Sequence, residues 1–336
     1  MTNNEIIVSV LMPVYNEENY IGKCIESLLT QDYDQSHVEY LLVDGSSADR
    51  TAELIEDYSK KYPFIKLLHN PNKTVPYAMN IGINAAKGKY IVRLDAHSEY
   101  SNDYVSSCVK YLDETGADNV GGPMVAKGKN FVQRAVAASY YSSFALGGGK
   151  FHDPEFQGYV DTVYLGAFKR DTLINIGMFD QRFVRNQDDE LNYRIIKNGG
   201  KVFMTPKIRS VYYPRSTLKS LFSQYFQYGE WKVAVIRKHG KPARLSQLVP
   251  MLFVLFNIAG LATLPIAVCR YVYLIVLGLY CLLDIASSLR NKHAKAFGEK
   301  CLLCLIHPIM HISYGLGFIK GIFTKKGFAE RSKAAN

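Results

Sequence analysis

A chain of 336 residues with 48% hydrophobic side chains is long enough for one large domain or two, and that composition excludes a disordered polymer. Lys+Arg 40 against Asp+Glu 30 gives a formal charge of +10, which suits nucleic acid, anionic lipid or a phosphorylated ligand, so position along the chain must choose among them. The six cysteines are scattered, which argues against a disulfide framework or a zinc ribbon; "CLLC" at 301–304 has the right spacing but sits in an apolar run with no second pair.

The opening "MTNNEIIVSV" has no basic region followed by an apolar one, so no signal peptide is expected and residues 1–125 should stay in the cytosol. Over that stretch, short β-rich runs ("IIVSVLMPVY", "VEYLLVDG", "IKLLHN", "KYIVRLDA", "NVGGPMV") alternate with amphipathic helical patterns such as "EENYIGKCIESLLTQ" and "SADRTAELIEDYSKKY". Alternation of this kind predicts a parallel sheet covered by helices, a nucleotide-binding α/β architecture. Ligands of such sheets gather beyond the carboxyl ends of the strands, where Asp44 and Asp95 fall. No GxGxxG follows the first strand, which weighs against NAD or FAD.

Residues 126–245 read as a less regular α+β half holding "LGGGK", the strand-like "DTVYLGAFKR" and the acidic "RNQDDELNYRI". Three carboxylates at a helix start are explained in general by the helix dipole and the unpaired N–H groups of the first turn. Spacing separates them. Glu190 precedes Arg194 by four, the favourable order for an ion pair, and Asp189 falls near Tyr193 on another face. Asp188, with Leu191 and Ile195, shares the apolar stripe that faces the protein body, where a carboxylate is costly unless something satisfies or uses it. This half ends in the helix "STLKSLFSQYFQYGEWKVAVIRKHG", whose aromatics suit a membrane interface.

Residues 246–336 read as a membrane region with a basic tail. "LVPMLFVLFNIAGLATLPIAVC" is 22 residues without a charge, and "YVYLIVLGLYCLL" follows Arg270, with Pro265 blurring the boundary between two spans. A third apolar segment near "CLLCLIHPIMHISYGLGFI" is expected to be re-entrant or interfacial, because a third crossing would put Lys320, Lys325, Lys326, Arg331 and Lys333 opposite the other basic clusters. The charge therefore reads as binding to an anionic membrane surface, not nucleic acid. His307 and His311, four apart in an apolar helix, could share a ligand, but with no evident acidic partner they read as structural or interfacial.

"VSVLMPVYNEENYIGKCIESLLTQ", "YLLVDGSSADRTAELI", "PYAMNIGINAAKGKYIVRLDAH", "YLGAFKRD", "GMFDQRFVRNQDDELNYRI" and "QYGEW", in that order over most of residues 6–240, resemble the inverting family 2 glycosyltransferases. Within them the chain is similar to the membrane-bound enzymes of succinoglycan-type exopolysaccharide synthesis. The resemblance implies a Rossmann-like, A-type nucleotide-diphospho-sugar transferase domain with C-terminal membrane helices. It implies that Pro13, Tyr15, Glu17 and Asp44 hold the nucleoside and that Asp95 binds the donor. "DAH" falls on the family's Asp-x-Asp motif, so Asp95 and His97 are the implied ligands of a divalent cation, Mn²⁺ or Mg²⁺, with the imidazole favouring manganese. Lys73 and Arg93 are candidate phosphate partners, or else surface or structural charges. Asp188 falls on the aspartate of the family's catalytic base, and Gln227 and Trp231 on its Gln-x-x-Arg-Trp motif, where Glu230 replaces the arginine.

The function so implied is a multi-pass membrane hexosyltransferase with a cytoplasmic catalytic domain. Its donor would be a nucleotide sugar, UDP-linked, and its acceptor a hydroxyl of a lipid-linked glycan in extracellular or capsular polysaccharide synthesis. A polyprenyl-phosphate acceptor and a non-catalytic membrane scaffold retaining the fold are the alternatives.

Overall fold

The computed structural model describes residues 5–324, and the chain divides into two compact units. The first runs to Val125 and resumes over Lys150–Tyr212; the second comprises Ala126–Gly149 and the chain from Tyr213 onward.

The first unit contains the strands β1 (Val8–Val14), β2 (Val38–Asp44), β3 (Ile65–His69), β4 (Tyr90–Arg93), β5 (Glu99–Tyr100), β6 (Asn119–Gly122), β8 (Gly158–Tyr159), β9 (Tyr164–Lys169), β10 (Val202–Met204) and β11 (Ser210–Tyr212), with β7 (Val125–Ala126) at its boundary. Eight of them form one sheet in the order β3-β2-β1-β4-β9-β6-β10-β8; β5, β11 and β7 form a small second sheet. β1 to β4 pair in parallel as the alternating pattern predicts. The sheet is nevertheless mixed, because β9 enters antiparallel between β4 and β6. The run "NVGGPMV" is not one strand: it breaks at Pro123, which has no N–H to give to a ladder.

The helices of this unit are α1 (Ile21–Leu29), α2 (Thr51–Lys61), α3 (Val75–Ala85), α4 (Tyr104–Thr115), α7 (Arg170–Asn175) and α8 (Gln187–Lys197). Successive strand residues face opposite sides of a sheet, and the two cores follow that parity. Val8, Val10 and Met12 of β1 join Tyr90 and Val92 of β4 in one core with α1, α2 and α4. Leu11 and Ile91 face the other core, built with Met79 and Ile83 of α3 and Leu191 and Ile195 of α8. Arg93 has the parity of Ile91, so it points towards the face that α8 covers.

The second unit is helical: α5 (Phe131–Ser139), α6 (Ser143–Leu146), α9 (Leu218–His239), α10 (Val249–Ala262), α11 (Ala267–Arg290) and α12 (Phe297–Phe323). Thr217 caps α9 by accepting from the Ser220 N–H at 3.1 Å, and left-handed Gly240 ends it. The 22-residue uncharged run is split, α10 stopping at Ala262 three residues before Pro265, since proline cannot extend a helix and restrains the residue before it. Three helical segments, Leu245–Ala262, Ala267–Arg290 and Phe297–Phe323, are long and apolar enough to cross a membrane. α12 runs unbroken for 27 residues through Pro308. Of the basic tail, Lys325, Lys326, Arg331 and Lys333 lie outside the described residues.

His307 does have an acidic partner: its buried Nδ1–H donates to Asp284 of α11 at 2.7 Å. His311 donates from Nε2 to the Ala145 carbonyl at 3.1 Å, so its Nδ1 accepts from the Tyr280 hydroxyl at 2.9 Å. The two histidines therefore bond in different directions.

α9 and α12 pack with their backbones almost touching. A Cβ at Gly229 would overlap the Tyr314 carbonyl, and one at Gly317 the Phe226 carbonyl, so only glycine allows this crossing. Gly317→Ala should therefore lower the thermal midpoint of the detergent-purified protein through overpacking of about 1–3 kcal/mol. Gly278→Ala, on α11 where a Cβ meets nothing within 4 Å, should leave it unchanged or raise it.

Candidate active site

The site is assembled at the carboxyl edge of neighbouring parallel strands. Val14 of β1 stands opposite Asp44 of β2, and the Leu94 N–H bonds to Leu11 at 2.9 Å, which brings the segments after β1, β2 and β4 side by side. Pro13, Tyr15, Glu17, Asp44, Asp95 and His97 all lie on these ends.

The loop after β1 is stitched to the loop after β2. The Asn16 N–H donates to Ser47 Oγ at 2.9 Å, Ala48 N–H to Asn16 Oδ1 at 2.8 Å, and Glu17 N–H to Thr51 Oγ1 at 2.7 Å. Asp44, buried, accepts from Ser47 Oγ at 2.5 Å and Ser47 N–H at 3.1 Å. Its carboxylate thus shapes the turn, which the Asp-Gly sequence alone also permits. Tyr15 is 46% exposed.

His97 donates from Nδ1 to Glu17 Oε1 at 3.1 Å. The Glu17 carboxylate can only accept, so Nδ1 is the donor in this bond. Among the described residues no group of three His, Cys, Asp or Glu side chains is gathered for a metal.

Asp95 is fixed at its backbone by Tyr100, whose hydroxyl accepts from the Asp95 N–H at 2.7 Å and donates to the Asp95 carbonyl at 2.9 Å. Burial, together with the Asp95 charge, pushes the Tyr100 hydroxyl well up, so it stays a donor.

Between Asp95 and Asp188 lies Arg93. Only 5% exposed, it is neither a surface charge nor an open phosphate partner. Its Nη1 donates to Asp188 Oδ1, and its Nη2 sits 3.4 Å from Asp95 Oδ1. Burial works against the Arg93 charge, but Asp188 and Asp95 outweigh it and hold its pKa above the ordinary value. For Asp188 the balance goes the other way. Desolvation raises its carboxyl above the ordinary value; Arg93 opposes the rise, while Asp95 and Asp189 add to it. The carboxylate is hemmed in enough to be desolvated, yet its side chain keeps 36% exposure, an open edge for a second molecule.

α8 delivers Asp188 to this point. Leu191 and Ile195 are buried on the stripe that Asp188 begins. Arg194 grips buried Glu190 with Nε at 2.9 Å and Nη2 at 2.8 Å, and also donates to the Ile176 and Met178 carbonyls at 2.7 and 2.6 Å. The expected i,i+4 pair is therefore also the strap that ties α8 to the preceding loop. Gln227 and Trp231 are on α9, in the second unit. There Glu230 is buried and pairs with Lys320 of α12 at 3.3 Å, a partner that no motif reading supplied.

The family model described as glycosyl transferase family 2 matches residues 9–196, more than half of the chain. The chain belongs to glycosyltransferase family 2. This glycosyltransferase is 29% identical over 327 residues to a Methanococcus voltae protein named dolichyl N-acetyl-alpha-D-glucosaminyl phosphate 3-beta-D-2,3-diacetamido-2,3-dideoxy-beta-D-glucuronosyltransferase, covering 95% of this chain and 99% of that one. It is 28% identical over 315 residues to the succinoglycan biosynthesis protein ExoA of Rhizobium meliloti, covering 92% and 93%. Among solved structures it is similar to the mannosyltransferase PcManGT of Pyrobaculum calidifontis in complex with GDP-Man and Mn²⁺, at TM-score 0.58 and 18% identity, over 95% of this chain and 87% of that one. S. aureus TarS 1-349 in complex with UDP-GlcNAc gives TM-score 0.53 at 15% identity, over 94% and 92%. These likenesses establish the A-type fold.

In this glycosyltransferase, Arg194→Ala removes the bidentate partner of buried Glu190 and should cost about 3–5 kcal/mol in denaturant unfolding. Replacing both partners by apolar residues, Glu190→Leu with Arg194→Met, should recover much of that loss, because no uncompensated charge remains.

Proposed function

We propose that the chain is a membrane-anchored, inverting hexosyltransferase, moving a sugar from a nucleotide donor, UDP-linked, to a hydroxyl of a lipid-linked glycan. The observation that carries this reading is the pairing of Asp188 with Arg93 beside Asp95. It sets a desolvated carboxylate with an open edge next to the strand end where a nucleotide diphosphate would sit. The names of the two relatives, one for a dolichyl-linked sugar phosphate and one for succinoglycan synthesis, support the lipid-linked glycan. The three apolar helical segments support membrane anchoring, and the basic residues flanking them an anionic surface.

In this mechanism Pro13, Tyr15, Glu17 and Asp44 line the nucleoside end. Asp188 accepts the proton of the acceptor hydroxyl as its oxygen attacks the anomeric carbon, on the side opposite the departing nucleotide. One C–O bond forms as the other breaks, and configuration inverts. Asp95 and His97 would hold a divalent cation, which neutralises charge on the diphosphate. Two protein donors suit an ion that completes its shell with phosphate oxygens. Gln227 and Trp231 are assigned to the acceptor.

The test is nucleotide release by detergent-solubilised protein with Mn²⁺, a panel of UDP- and GDP-hexoses and acceptor lipid extract. Asp188→Asn should lose about 10²–10⁴-fold in turnover with nucleotide binding intact, while Asp189→Asn stays active. Equal turnover in wild type and Asp188→Asn removes Asp188 from the mechanism, and nucleotide binding without turnover in any combination favours a scaffold. A product labile to mild acid would identify a polyprenyl phosphate as the acceptor. Because desolvation raises the Asp188 carboxyl, its base form is lost earlier on acidification than for an ordinary carboxylate. A kcat/KM profile should therefore fall, as pH drops, through a midpoint above the usual carboxylate range.

A further inference from the structure

We infer that Arg93 is a positioning residue for the transfer: its guanidinium fork fixes the Asp188 carboxylate relative to Asp95, so that base and donor site act as one unit. The inference rests on the reading of Asp188 as base and adds a residue to it.

Three observations carry it. First, strand alternation drives Arg93 into the interior beneath α8, where a guanidinium persists only if carboxylates answer it. Second, the two carboxylates it reaches, Asp188 through Nη1 and Asp95 through Nη2, come from segments 95 and 2 residues away, with no direct hydrogen bond between them. Third, the main chains on both sides are already fixed. Tyr100 holds the backbone of Asp95, and Arg194 straps α8. What remains undetermined is how each carboxylate turns about its own side-chain bonds. Left alone, the two negative charges would repel; the fork sets both at once.

A planar fork can hold two carboxylates in a fixed relation and a point charge cannot. Arg93→Lys keeps the positive charge and loses that relation. The expected result is a fall in kcat of about 100-fold, the scale of a misplaced catalytic group, well beyond any change in the Kd for the nucleotide and measured below the variant's own, lowered, melting temperature. In an Asp188→Asn background, Arg93→Lys should cost little further turnover, because the group it positions is already disabled.

The experiment is this double-mutant cycle, with Arg93→Gln as a neutral second variant should the lysine variant fold poorly, and with nucleotide binding measured on each protein. Wild-type turnover in Arg93→Lys would overturn the inference, showing that charge alone suffices. So would a full, additive loss in the Asp188→Asn background, which would make Arg93 act independently of the base. If wild type turns over and Asp188→Asn matches it, the base assignment itself falls, an outcome separable from failure of the Arg93 variants alone.

Discussion

A buried arginine is the constraint around which the first unit is organised. The alternation of β4 leaves no choice about where Arg93 points, and removing a guanidinium from water is expensive enough that the surrounding structure must answer it. The answer comes from two carboxylates, one at the end of the same strand segment and one at the start of α8. Much else serves to keep those carboxylates in place. The Tyr100 hydroxyl closes the turn at Asp95, Leu191 and Ile195 anchor α8 in the core, and the Glu190–Arg194 pair ties the helix to the loop before it.

Chemistry at such a site depends on unequal treatment of like groups. Asp44 and Asp188 are both acidic side chains at element ends on the same edge of the fold. The first accepts from the Ser47 hydroxyl and N–H and so shapes the turn after β2; the second is desolvated, held by Arg93 on one side and partly exposed on another. A carboxylate in the second condition is more basic than an ordinary carboxylate, because desolvation disfavours its charged form, and part of its side chain still reaches solvent.

The second unit follows a different logic, with contacts made by small residues and isolated polar pairs inside apolar helices. Gly229 and Gly317 permit a close crossing of α9 and α12, and Glu230 with Lys320 adds a charge pair along the same two helices. Glu230 is buried on α9 while its partner Lys320 on α12 is about half exposed, so the pair links the two helices at the edge of their contact.

The sequence by itself determined β1 to β4 and their carboxyl ends, because buried parallel strands need continuous apolar runs that are visible without a partner. It also determined the inward stripe of Asp188 and the Glu190–Arg194 pair, since both follow from helical spacing within eight residues. Tertiary structure decided the remainder. The antiparallel entry of β9, the partnership of Arg93 with Asp188, that of His307 with Asp284 and that of Glu230 with Lys320 each join residues far apart in the chain. Local periodicity carries no information about which distant side chain will meet a given charge; only the packing of one element on another selects it.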